Sequence, residues 1–151
     1  MNLTEEPEIV SWPETHYVYL ERIGPFMKTA PGAWQDLREL APLISERNRI
    51  VGGLSLYKMQ ATIYRAGYSL AEPPVGLPAG VEYMRFGGGK YSRFVLTGPY
   101  FEMPQASGRV WEIVSKTGIP VRDDFAIENY LNDLGTTPAE KLVTEILIPT
   151  V

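Results

Sequence analysis

The chain has 151 residues, with 18 acidic side chains against 14 basic ones for a net charge of −4, and it has no cysteine. This length fits one ordinary domain or two fused small modules, with core enough to need no disulfide or metal staple. Without cysteine there are no thiol nucleophiles, iron–sulfur clusters or cysteine-based zinc sites, and no Lys/Arg cluster marks a nucleic-acid surface.

The N-terminal "MNLTEEPEIV" lacks a basic region followed by an apolar run, so no signal peptide is expected. No apolar run reaches the roughly 18 residues of a membrane span, and the expectation is a cytoplasmic protein without membrane contact. His16 is the single histidine and no carboxylate cluster has ligand spacing, so neither a metal nor a cofactor is expected. A Ser-His-Asp site would have to run through His16, which opens a strand; a structural role fits it better.

"HYVYLERIGPF", from residue 16, alternates: Tyr17, Tyr19 and Glu21 on one face, Val18, Leu20 and Arg22 on the other. That predicts a strand stopped by Gly24-Pro25. Residues 31–49 carry Trp34, Leu37, Leu40, Ala41 and Ile44 at helical spacing, with Pro31 near the first turn and Pro42 bending or ending the helix. Residues 52–59 and 61–70 read as a hairpin, and the Pro/Gly-rich stretch 71–80 as a linker or lid.

The pattern then restarts. "KYSRFVLTGPY", 90–100, repeats the first strand at an offset of 74: Tyr91 matches Tyr17, Phe94 matches Leu20, and Gly98-Pro99-Tyr100 matches Gly24-Pro25-Phe26. A helix over 103–118 follows, with Val110, Ile113 and Val114 as its stripe and Gly118 before Pro120 as its stop. Strands are predicted over 124–131 and 142–151, joined by the loop "LNDLGTTPAEK". The order is β-α-β-β twice. The predicted fold is α+β: two pseudo-twofold β-α-β-β modules with antiparallel sheets around a central ligand groove, one domain over 1–151 with repeats at about 8–70 and 81–151.

Nine tyrosines, three tryptophans and five phenylalanines are more aromatic surface than such a core needs, and they suit a pocket or an interface. In "DDFAIENYLND", 123–133, Ala126, Glu128 and Tyr130 share one strand face, with Phe125 and Ile127 on the other, under the helix. The same parity gathers Tyr17, Tyr19, Tyr91 and Arg93 away from the helices, with Ser55 and Tyr57 as the first-half counterparts of Glu128 and Tyr130. Arg93 is placed to line the groove or to pair with Glu128. Trp111 edges the second helix as core or pocket wall; Phe26 and Tyr100 follow the Gly-Pro corners and line the groove ends or staple the helices. Trp34 reads as core, and Trp12 has no assignment.

The doubled β-α-β-β order, the Gly-Pro-aromatic corners, "VWEIVSKTGIP", "FAIENYLND" and "TEILIPTV" resemble the GyrI-like domain, over roughly 8–151. This is the gyrase-inhibitor-like small-molecule-binding domain, also the effector domain of some AraC- and MerR-type transcription regulators. The resemblance implies an aromatic pocket with a glutamate two residues before a tyrosine at its centre, here Glu128 and Tyr130. It implies a stand-alone binder of lipophilic, often cationic, small molecules, with a partner protein or homodimer left open. The alternative it implies is hydrolysis of cyclopropane-bearing or similar strained compounds with Glu128 as general base; a gyrase-inhibitor-like protein contact is the third reading. Burial raises a carboxyl's pKa and a bound cation reverses that shift, and tyrosine rings add cation–π attraction of about 0.5–2 kcal/mol each.

Overall fold

The computed structural model of the protein describes residues 1–132 and 135–151. Two residues of the predicted loop 131–141, Asp133 and Leu134, lie outside the described residues. In chain order the elements are β1 (Asn2–Leu3), β2 (Glu8–Trp12), β3 (Thr15–Ile23), α1 (Phe26–Ser45), β4 (Ile50–Lys58), β5 (Ile63–Leu70), β6 (Glu82–Phe86), β7 (Gly89–Thr97), α2 (Met103–Thr117), β8 (Ala126–Tyr130) and β9 (Val143–Pro149). The fold is mixed α+β with antiparallel pairing within each unit, and the β-α-β-β order does occur twice, as β3-α1-β4-β5 and β7-α2-β8-β9.

The chain divides into two compact units, residues 13–88 and residues 1–12 with 89–151. In the first, β5 lies between β3 and β4, and β6 pairs with the other edge of β3. Val18, Leu20 and Arg22 sit opposite Tyr68, Ala66 and Tyr64 on β5, and cross-strand partners share a face. Arg22 pairs with Asp36 of α1 at 3.1 Å, so this is the face that α1 covers. Val18, Leu20, Ala33, Leu37, Ile44 and Ala66 form its core.

α1 starts five residues before the predicted 31 and stops at Ser45 rather than 49, with both prolines inside it. Pro31 has no N–H to bond the preceding turn. The first turn is held instead from Pro25, whose carbonyl accepts the N–H groups of Lys28 and Thr29 at 2.9 and 3.0 Å. The 71–80 stretch is pinned at its middle. Asn48, just past α1, donates Nδ2 to the Val75 carbonyl at 2.9 Å, and its Oδ1 accepts the Val75 N–H at 2.7 Å.

In the second unit β9 lies between β7 and β8, and both β1 and β2 pair with the outer edge of β7. α2 follows a short 3₁₀ turn at Tyr100–Glu102 and buries Met103, Ala106, Val110, Ile113 and Val114. It ends as its sequence requires, on Gly118 at φ 71°, a left-handed cap. Trp12, without an assignment from the sequence although "EIVSW" alternates, is the last residue of β2, opposite Gly89.

Candidate functional site

Register decides which predicted residues can act together. In the second unit Glu128 lies opposite Ile146, and Ile146 opposite Phe94. Tyr130 lies opposite Thr144, and Thr144 opposite Leu96. These six residues therefore share one face. Tyr91 and Arg93 lie opposite Pro149 and Leu147, with Ile127 beyond Leu147, on the other face. The expected grouping of Glu128 with Tyr91 and Arg93 is thus corrected: Glu128 is on the Phe94 side. Parity within each strand was legible, but joining two strands' parities takes their register.

Tyr130 donates its hydroxyl to Glu128 Oε1 at 3.0 Å, and the Tyr100 ring meets the Tyr130 ring edge-on at 5.5 Å between centroids. Tyr100 opens the turn into α2, so the aromatic corner closes on the glutamate's own face. Burial pushes the Glu128 carboxyl up to about 7, and the Tyr130 hydrogen bond offsets part of that rise. Among the described residues no cation contributes to the balance at Glu128. Trp111 is half-buried on α2.

Arg93 does not pair with Glu128. Its guanidinium donates to Glu145 at 2.9 Å and to Glu8 of β2 at 2.8 Å, while Asn129 donates to the second Glu145 oxygen at 2.8 Å. Tyr91 is fully buried and donates its hydroxyl to the Phe125 carbonyl at 2.7 Å, under a cation–π contact from Arg122. Tyr17 is its counterpart in the first unit, fully buried, with its hydroxyl 2.8 Å from the Leu54 carbonyl. It crosses β5 over Gly67, where a Cβ would overlap its ring. Desolvation holds both phenols well above their ordinary range. These two tyrosines are internal struts, so their hydroxyls are already committed to backbone carbonyls. Tyr19 stacks on Tyr17 at 5.4 Å and carries the Arg65 guanidinium 4.4 Å from its centroid; Arg65 is itself paired with Glu21 at 2.8 Å.

Ser55 and Tyr57 also need correction. They lie on the α1 face, not opposite it, since their β5 partners Ala66 and Tyr64 sit beneath that helix. Trp34 of α1 reaches down to both, donating Nε1 to Tyr64 at 2.9 Å and to Ser55 at 3.2 Å, while the two hydroxyls lie 2.7 Å apart. Phe26 closes the end of this cluster, 5.7 Å from the Tyr57 centroid and 5.6 Å from that of Tyr64. Trp34, read as core, and Tyr64, not singled out at all, are thus the centre of a polar aromatic cluster. Alternation alone does not show which tyrosine has a hydroxyl partner.

Residues 5–151 match the model of the GyrI-like small molecule binding domain. The chain belongs to this family. Several solved structures share its fold at low identity. The EcmrR C-terminal domain superposes with a TM-score of 0.77 at 14% identity, over 100% of this chain and 99% of that one. SAV2435, solved bound to tetraphenylphosphonium, gives 0.75 at 16%, over 97% and 94%. A hydrolase from Listeria innocua gives 0.61 at 16%, over 97% and 92%. No curated protein matches the chain. Among the described residues no group of His, Asp or Glu could hold a metal ion, and no helix is long and apolar enough to cross a membrane.

Proposed function

We propose that the whole chain works as one ligand-binding domain that sequesters or senses a lipophilic cation in the cytoplasm, with Glu128 as the charge that selects it. The observation that carries this reading is a half-buried carboxyl, raised by desolvation, that accepts a tyrosine hydroxyl and, among the described residues, meets no cation. Ionised, such a group is costly to bury; paired with a cation it is much less so. Tyr130 and Tyr100, edge to face beside it, offer apolar walls and cation–π faces. The fold shared with SAV2435, whose bound molecule is a lipophilic cation, supports the same class of ligand.

Calorimetry with tetraphenylphosphonium and with neutral triphenylphosphine oxide tests it. Glu128→Gln should weaken the phosphonium by at least about ten-fold and leave the oxide unchanged, the size of one lost charged contact. Equal affinities for the phosphonium in both proteins would reject the role of Glu128.

A hydrolytic reading stands second. It is favoured by one feature: a carboxyl at about 7 is poised as a general base near neutral pH, with a phenol beside it. Turnover of a strained cyclopropane substrate that vanishes in Glu128→Gln would promote it over simple binding.

A further inference from the structure

The face that carries Glu128 also carries a buried hydroxyl without a hydrogen-bond partner among the described residues. Thr144 is fully buried, and among the described residues its Oγ1 has no hydrogen-bond partner. A buried orphan of this kind destabilises the native state, and a valine of nearly the same shape would not. Thr144 is the cross-strand partner of Tyr130, and Glu128 is the partner of Ile146, two residues further along β9. Glu128 and Thr144 are therefore diagonal neighbours on one face, with Cβ atoms roughly 5–8 Å apart by sheet geometry. That span is bridged by a single nitrogen carrying two N–H groups, or by an amidinium.

The first unit shows what normally fills such a position. There the cross-strand partner of Tyr57 is Tyr64, whose ring and hydroxyl are locked to Ser55 and Trp34. In the second unit the partner of Tyr130 is the much smaller Thr144. Trp34 follows the buried Ala33 of α1; the residue that follows the buried Ala106 of α2 is Ser107. The two positions that carry rings in the first unit thus carry Thr144 and Ser107 in the second, where the Thr144 hydroxyl has no hydrogen-bond partner among the described residues.

We infer that the Thr144 hydroxyl is the second polar contact of the ligand, so that the site takes a flat lipophilic cation bearing N–H donors in preference to a quaternary one. The inference rests on the proposed role of Glu128. An N–H on the cation satisfies Glu128 and Thr144 together; a quaternary cation satisfies the charge and leaves Thr144 orphaned. The ligand ring takes up in this unit the layer that Trp34 and Tyr64 occupy in the other.

The test uses two flat cations of similar size, 9-aminoacridine with N–H groups and 10-methylacridinium without, followed by their fluorescence. Thr144→Val should bind 9-aminoacridine about ten-fold more weakly and 10-methylacridinium within about two-fold of wild type, and Thr144→Ser should restore the first. Melting without dye checks the fold: Thr144→Val should melt at or above wild type, since it removes an orphan. An equal loss for both dyes, or none for either, overturns the role of Thr144. Glu128→Gln separates the two claims. If it weakens both dyes while Thr144→Val matches wild type, Glu128 stands and Thr144 falls. If it changes neither, or if wild type binds neither dye, both fall.

Discussion

The two units place opposite chemistry at matching points of the same β-α-β-β order. In residues 13–88 the strand after the helix carries Ser55, and Trp34 and Tyr64 complete a neutral hydrogen-bonded cluster around it. In residues 89–151 the matching strand carries Glu128, and the Tyr130 hydroxyl supports a carboxyl that burial holds near 7. The first arrangement satisfies itself. Among the described residues the second is left short of a positive charge, although the same sheet carries an arginine: Arg93 points to the other face, where Glu8 and Glu145 hold it. The difference teaches that one scaffold can make a polar position structural or receptive, according to whether its neighbours supply the counter-group.

The contrast is broken most strongly by pH. A carboxyl raised from 4.5 to about 7 keeps its proton in the folded chain after the unfolded chain has lost it. Unfolding then releases a proton, so stability falls as pH rises from about 4.5 to about 7, by about 3 kcal/mol for this one group. Urea unfolding across that window should show the decline in wild type and a flatter profile in Glu128→Gln, which should be the more stable protein above pH 7. Parallel profiles would mean that Glu128 is not desolvated in the folded state. The first unit should behave differently. Ser55→Ala removes one neutral partner and leaves Trp34 bonded to Tyr64, so it should cost about 1 kcal/mol, with no dependence on pH. A pH-dependent loss there would erase the distinction between the units.

Much of this arrangement was legible in the sequence. Alternation gave β3 and β7, helical spacing gave α1 and α2, and the Gly-Pro-aromatic corners gave the doubled order. The pair Glu128–Tyr130 followed from two residues sharing a strand face, and the structure joins them by a 3.0 Å hydrogen bond. What failed was everything that depends on register. Tyr91 and Arg93 were grouped with Glu128, and Ser55 and Tyr57 were turned away from α1, because a one-residue slip between strands exchanges the faces. Tyr17 and Tyr91 alternate as residues of a groove face would, and an internal strut has the same alternation; the carbonyl that takes the hydroxyl lies 37 and 34 residues away. β2 and β6 are short edge strands, whose pairing depends on a distant partner. The orphan hydroxyl of Thr144 has no signature at all in "LVTEILIPTV", where threonine is simply a good strand former.

The most direct test of the central claim is the titration of the Glu128 side-chain carboxyl itself, by carbon-13 NMR of protein labelled at glutamate, assigned with Glu128→Gln. The account predicts a midpoint near 7 in the free protein, moving down when tetraphenylphosphonium is bound, because a cation favours the ionised form. A midpoint in the ordinary carboxylate range, unmoved by the cation, would contradict it.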